Sequence, residues 1–216
     1  QDKTPCRSPY EIWPNEENAM NDEYKEKAER IKKSYEKRQG EATEEKGLII
    51  VHTGSGKGKS TAAFGMVLRA IHHGLRVGVV QYVKGAIASG EVEVFKSFGD
   101  RVEWHRMGEG FSWITQDQEL DRKAAVKAWE KSKELMADPD IGMVVLDEIN
   151  VAVRLKQLEL ETVLDGLRNK REMLHVVLTG RSAKDELIEM ADLVTEMKMV
   201  KHPYRAGIKA QAGVEF

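Results

Sequence analysis

The sequence predicts an α/β fold, with a mostly parallel sheet, helices on both of its faces, and a separate N-terminal helix ahead of it. Three observations carry this reading. From Gly47 onward, short β-branched runs alternate with helical patterns, the order expected of strands joined by crossover helices. The pairs Val79-Val80, Val144-Val145 and Val176-Val177 are apolar at consecutive positions, as strands buried on both faces require. A glycine-dense loop, Thr53–Thr61, links an apolar run to a helical stretch, placing a tight strand-to-helix turn at the carboxyl edge of the sheet, where such folds bind ligands.

Residues 1–18 contain Pro5, Pro9 and Pro14 among polar residues and read as a loose arm. Residues 19–46 are densely charged, with Met20, Tyr24, Ala28, Ile31 and Tyr35 at steps of three or four. That narrow stripe fits a charged helix, either solvated along one edge or docked over a site or onto a second subunit. Residues 47–216 form the main domain. Its strands are expected at Leu48–Val51, Arg76–Val83, Val102–Arg106, Met143–Leu146, His175–Leu178 and Leu193–Met197, with helices near 60–73, 89–98, 117–137, 155–170 and 183–191.

The loop Thr53-Gly54-Ser55-Gly56-Lys57-Gly58-Lys59-Ser60-Thr61 carries the first chemistry. Backbone N–H groups at a helix N-terminus cradle polyphosphate. Lys59 supplies a mobile cation, and the Ser60 or Thr61 hydroxyl a ligand for Mg²⁺. Lys57 adds a second positive charge, for phosphate or for solvent. The usual phosphate loop has glycine five positions before its Gly-Lys-Ser/Thr; here that position is Thr53, and counting from Gly54 makes the loop one residue shorter. An apolar strand then ends in Asp147-Glu148, carboxylates suited to completing a metal site beside such a loop. Spacing does not tell which of the two faces the ion.

Two further segments fall at strand ends. Gly108–Gln116 brings Phe111 and Trp113 two residues apart, either filling a core gap or forming an apolar platform for a flat ligand. Leu178-Thr179-Gly180-Arg181 sets an arginine on the ligand edge, for phosphate or carboxylate recognition or as a surface residue. His72 and His73 are adjacent rather than four apart, and the single cysteine, Cys6, lies far from any histidine cluster, so no zinc-type spacing exists. No serine shows a nucleophile-elbow context.

Composition narrows the partners. With Lys+Arg 34 against Asp+Glu 36 and a net charge of −2, the chain lacks the basic balance of a nucleic-acid binder. No apolar run approaches the roughly 20 residues of a membrane span, and no secretion-type segment stands near Gln1. One cysteine allows no internal disulfide. The expected compartment is a reducing cytoplasm, with neither nucleic acid nor membrane as partner.

Together these residues resemble the ATP:corrinoid adenosyltransferases of the CobA/CobO/BtuR type, which include the cob(I)alamin adenosyltransferases. The resemblance is carried by Thr53–Ala63, Val79–Gly85, Gly108–Gln116, Val144–Ile149, Leu178–Arg181 and Val200–Phe216 (VKHPYRAGIKAQAGVEF), and runs from about Tyr24 to the last residue. It implies a RecA-like P-loop fold and a homodimer. It also implies transfer of the 5′-deoxyadenosyl group of ATP to cobalt(I) of a reduced corrinoid, with release of triphosphate, in adenosylcobalamin synthesis or salvage. Mg²⁺ or Mn²⁺ assists, and an electron-donating flavoprotein reductase supplies the reduced corrinoid.

Carried onto this chain, the resemblance places nucleotide contacts at Gly54, Ser55, Gly56, Lys57, Gly58, Lys59, Ser60, Thr61 and Arg181. It places the metal at Ser60, Asp147 and Glu148, with Lys59, Phe111 and Trp113 in the reaction. Family members hold ATP reversed in the loop, which a shorter loop suits. Residues matching Phe111 and Trp113 form an apolar lower face that displaces the corrinoid's axial ligand, and the N-terminal helix covers the partner's site. Ser60 stands where some members have threonine, and Ser55 where some have asparagine. The competing expectation is a conventional P-loop NTPase or kinase that cleaves at the γ-phosphate, for which loop, carboxylates and fold serve equally. A non-catalytic corrinoid carrier or nucleotide sensor is a third.

Overall fold

The computed structural model describes residues 22–83, 90–107 and 117–214. It divides into an N-terminal unit, Gln1–Glu44, and a main unit, Glu45–Phe216. The described residues of the N-terminal unit include the helix α1 (Asp22–Glu41), so the helix expected over 19–46 stops short of its predicted C-terminal end. Gly40, in its last turn, disfavours further helix by about 1 kcal/mol relative to alanine. Pairs at four-residue spacing, Arg30–Glu26, Lys32–Glu36 and Lys37–Glu41, lie along it, each adding at most a few tenths of a kcal/mol.

Among the described residues the main unit holds six strands: β1 (Ile49–Thr53), β2 (Arg76–Gln81), β3 (Val102–Arg106), β4 (Ile141–Asp147), β5 (His175–Thr179) and β6 (Leu193–Glu196). They form one sheet in the order β3-β2-β4-β5-β1-β6. Every described pairing in it is parallel. Parallel neighbours cannot be joined by a tight hairpin, so the chain crosses over the sheet repeatedly, and helices cover both faces. One face carries α2 (Lys59–His72) and α3 (Gly90–Lys96), packing Ala63, Phe64, Val67, Ile71 and Phe95 on Ile50, Val79, Val145 and Val177. The other carries α4 (Gln118–Ala137), α5 (Ile149–Arg154), α6 (Leu160–Arg168) and α7 (Asp185–Met190), packing on Val51, Val144, Val176 and Leu178. The α/β architecture read from the sequence is thus the one observed.

Three of the departures from the expected boundaries are informative. Strand β2 stops at Gln81 rather than Val83, its last ladder bond running from Tyr82 N–H to the Asp147 carbonyl. Strand β4 begins earlier, at Ile141. The helix expected over 155–170 is α6, which begins only at Leu160, and a further helix that was not expected, α5, lies ahead of it. Lys156, with φ +59°, ends α5 in the left-handed region, and Gln157 N–H closes the turn on the Ala152 carbonyl. Val151 and Val153 disguise α5, since β-branched residues read as strand.

Parallel register aligns one polar row near the carboxyl ends of the strands. Gln81 stands beside Arg106 and Asp147, and His52 beside Thr179 and Thr195. Asp147 follows Leu146, the partner of Leu178, and so falls beside Thr179. Side chains in register share a face, so Gln81, Asp147, Thr179 and His52 all lie beneath α2.

Candidate active site

The phosphate loop leaves β1 and enters α2 through two left-handed glycines, Gly54 (φ +98°) and Gly58 (φ +103°). Gly58 is the residue before the first helical turn, and no side chain caps that turn. The leading N–H groups of α2, on Lys59, Ser60 and Thr61, therefore open toward the loop with the positive end of the helix dipole behind them. Such an arrangement suits an anion.

Lys59 is buried. Its ammonium donates to the Gly54 carbonyl at 3.0 Å and to the Gly56 carbonyl. Burial pushes its pKa below the usual lysine value, with nearby Arg181 and Lys57 acting in the same direction and Glu148 opposing them. These charges therefore converge on one place, bringing Arg181 to the loop although the two lie far apart in sequence.

The loop is braced by the segment after β6. Met197 N–H donates to the Thr53 carbonyl at 2.8 Å, and Gly56 N–H donates to the Met197 carbonyl at 2.6 Å. Met199 N–H donates to the Ser55 hydroxyl at 3.4 Å. A β-carbon at Gly54 would lie 2.4 Å from the Met197 carbonyl oxygen, and one at Gly56 would lie 2.8 Å from it. Both glycines are thus required by close backbone approach, and the Gly56 amide is directed at Met197.

Thr53, at the position where a phosphate loop usually has glycine, has a structural task. Its hydroxyl accepts from Ala183 N–H at 3.1 Å. Gly180 N–H reaches the His52 carbonyl at 3.2 Å, and Asn150 Nδ2 donates to the Gly180 carbonyl at 3.2 Å. The turn carrying Arg181 is therefore pinned on both sides, through Gly180 (φ +128°) and Ser182 (φ +56°).

Asp147 is fully buried and sits directly under the start of α2. Its Oδ1 accepts from the Ser60 hydroxyl at 2.7 Å and the Thr179 hydroxyl at 2.8 Å, and its Oδ2 accepts from Gln81 Nε2 at 3.0 Å. Because Ser60 gives its proton to Asp147, its oxygen lone pairs are turned elsewhere, as a ligand for a hard cation needs. Thr61 is exposed on the first turn and makes no such bond to Asp147 among those described. Glu148 adopts φ +65°, a conformation that costs a non-glycine residue roughly 1–2 kcal/mol. It is held there by its own N–H on the Thr179 hydroxyl at 2.9 Å and by Val151 N–H on its carbonyl at 3.0 Å. An added β-carbon at Gly180 would lie 3.2 Å from Glu148 Oε2, so glycine there makes room for the carboxylate.

The sequence family described as ATP:corrinoid adenosyltransferase BtuR/CobO/CobP matches residues 45–216. The chain belongs to the ATP:corrinoid adenosyltransferase family. A protein of Pseudomonas aeruginosa named corrinoid adenosyltransferase is 50% identical over 202 residues, covering 94% of this chain and 100% of the relative. One from Sinorhizobium sp., with the same name, is 56% identical over 187 residues, covering 86% of this chain and 87% of its own length. The Escherichia coli K12 protein of that name is 41% identical over 198 residues, 91% of this chain and 100% of the relative.

In this adenosyltransferase, Lys59, Ser60, Asp147, Glu148 and Arg181 converge as the sequence suggested, while Phe111 and Trp113 lie outside the described residues. His72 and His73 are exposed, their rings 5.1 Å apart at the end of α2 and away from the loop. Sequence reasoning assigned no role to Gln81, Thr53, Thr179, Asn150 or Met197. Gln81 offered one signal, a polar residue closing an otherwise apolar strand. The others act through contacts between segments distant in the chain. His52 is buried with neither ring nitrogen hydrogen-bonded to protein, and burial lowers its pKa.

Proposed function

We propose that the chain transfers the 5′-deoxyadenosyl group of ATP to the cobalt(I) of a reduced corrinoid and releases triphosphate. The observation that carries the reading is the phosphate loop of an adenosyltransferase-family chain, with buried Lys59 and the amides of α2 facing the place for polyphosphate. The cobalt(I) electron pair attacks C5′ of the ribose, the C5′–O5′ bond breaks, and its electron pair leaves on the triphosphate. Cobalt thereby becomes cobalt(III) bound to carbon, and no protein base has to remove a proton.

The protein's part is to bind and orient the triphosphate and to offset charge as it departs. Lys59 swings from the Gly54 and Gly56 carbonyls to phosphate oxygens, and the amides of Lys59, Ser60 and Thr61 hold the same group. Loop residues Ser55, Lys57 and Gly58 border it, and Arg181 reaches it from the turn after β5. Ser60, Asp147 and Glu148 offer oxygen donors only, the set that fits Mg²⁺ or Mn²⁺. Such an ion, when bound, neutralises developing charge on the leaving group. Ser60 would hold it through its lone pairs, with Asp147 orienting Ser60 from beneath and Glu148 on the loop side. Phe111 and Trp113 belong to the same reading as an apolar wall without metal-binding atoms, which favours four-coordinate cobalt.

The reading extends to a homodimer, a flavoprotein reductase as electron donor and a reducing cytoplasm, all resting on the family. No described helix is long and apolar enough to cross a membrane. Product analysis tests the core of it. With ATP and reduced corrinoid the expected products are adenosylated corrinoid and intact triphosphate in equal amounts, and neither forms without corrinoid. ADP and phosphate released in the absence of corrinoid would instead indicate attack at the γ-phosphate and overturn the proposal.

A further inference from the structure

We propose that Trp104 and Gln81 are positioning residues that hold the Asp147 carboxylate in place and, through it, orient the Ser60 hydroxyl whose lone pairs face the metal. The inference rests on the reading of Ser60 and Asp147 as the metal site. Trp104 Nε1 donates to Gln81 Oε1 at 3.1 Å, and Gln81 Nε2 donates to Asp147 Oδ2 at 3.0 Å. Ser60 Oγ then donates to Asp147 Oδ1 at 2.7 Å. The direction of this chain is forced at its far end. An indole N–H can only donate, and a carboxylate can only accept. A glutamine between them is satisfied one way round, with its oxygen toward Trp104 and its nitrogen toward Asp147. Gln81 is 1% exposed, so a reversed amide would have no water to repair the mismatch and would press its oxygen on a carboxylate oxygen.

The anchor of the chain is rigid and belongs partly to the helix it serves. The Trp104 ring stacks on Phe95 with centroids 5.4 Å apart and lies 5.1 Å from Phe64. Phe64 follows Ser60 by one helical turn on α2, so the same helix carries the hydroxyl and clamps the indole. In register, Trp104 pairs with Val79, two residues before Gln81 on β2. Its indole N–H thus reaches diagonally across the strands, a span that long aromatic side chains cover. Packing fixes the indole, the indole fixes the amide, and the amide, beside the Thr179 hydroxyl on Oδ1, fixes the carboxylate.

The test measures Mn²⁺ binding by electron paramagnetic resonance in the full chain with a non-hydrolysable ATP analogue, alongside analogue binding without metal and thermal melting. Gln81→Leu is expected to weaken Mn²⁺ binding about 10- to 100-fold, as loss of an outer-shell partner commonly does. Trp104→Phe keeps an aromatic ring between Phe64 and Phe95 but removes the N–H, and is expected to weaken it several-fold. Metal-free analogue binding stays unchanged in both. The double variant binds Mn²⁺ no worse than Gln81→Leu alone, because Trp104 acts only through Gln81. Two independent losses that multiply, or wild-type Mn²⁺ affinity in Trp104→Phe, would overturn the relay. If Gln81→Leu fails to fold, Gln81→Glu replaces it: its carboxylate repels Asp147, so weakened Mn²⁺ binding is expected and unchanged binding would overturn the relay. Wild-type protein that holds no Mn²⁺ beside the analogue would overturn the metal site itself, and the relay with it.

Discussion

Replacing Gly56 with alanine separates the phosphate loop's geometry from its stability. The new β-carbon would stand 2.8 Å from the Met197 carbonyl oxygen and 2.9 Å from the Lys198 carbonyl carbon and oxygen. These are backbone atoms, so no side-chain rotation relieves the overlap. Either the loop or the Met197–Met199 segment has to move, and the 2.6 Å bond from Gly56 N–H to Met197 goes with it. Overpacking of this kind costs about 1–3 kcal/mol. Displacing the segment is the cheaper response, since β6 is an exposed edge strand and the chain beyond it is largely exposed. The cost then falls on the loop conformation that binds nucleotide, lowering ATP affinity by roughly 5- to 150-fold.

Gly65→Ala supplies the contrast. Gly65 lies inside α2, a β-carbon there meets nothing within 4 Å, and alanine is the better helix former by about 0.5–1 kcal/mol. Its melting temperature should rise by about 1–4 °C, with ATP affinity unchanged. Calorimetric ATP titration and thermal melting read both variants. Wild-type ATP affinity in Gly56→Ala would refute the claim that the segment after β6 shapes the loop.

Three further outcomes follow from the same structure. Thr53→Val leaves Ala183 N–H without its acceptor, a cost of about 1–3 kcal/mol; the KM for ATP should rise and Thr53→Ser should restore it, whereas an unchanged KM in the valine variant removes the link from Thr53 to the Arg181 turn. Burial depresses the pKa of His52 from 6.5, so below pH 6.5 the unfolded chain takes up a proton that the folded chain resists, and stability falls with pH by at most about 1.4 kcal/mol per unit. His175 shifts the same way, so the informative quantity is the difference between wild type and His52→Phe in urea titrations at pH 7.5 and 5.5: the variant should lose less on acidification, and parallel losses would show that His52 ionises freely. Finally, Phe111→Ala combined with Trp113→Ala should impair adenosylation that starts from cobalt(II) far more than it impairs ATP binding, and equal loss of both would contradict an apolar wall for cobalt.

The sequence by itself determined the features that depend on neighbours along the chain. Alternating strands and helices, consecutive valines in β2, β4 and β5, and the run from Gly54 to Ser60 follow from local sterics, periodicity and burial, and they were legible at once. So was the presence of Asp147-Glu148 at the end of an apolar strand. Helix α5 was not, because Val151 and Val153 carry strand propensity that packing against the sheet overrides.

The tertiary structure alone decided where the two carboxylates lie. Asp147 is buried under Ser60, whereas Glu148 turns toward the loop through a left-handed backbone held by Thr179. It alone brought Met197 against Gly54 and Gly56, tied Thr53 to Ala183, and placed Trp104 within reach of Gln81. Each of these contacts joins segments brought together only by sheet order, and hydrogen-bond direction depends on which donor lies opposite which acceptor. Local pattern encodes a helix start that can hold polyphosphate; three-dimensional packing decides which amide, hydroxyl and carboxylate atoms face it.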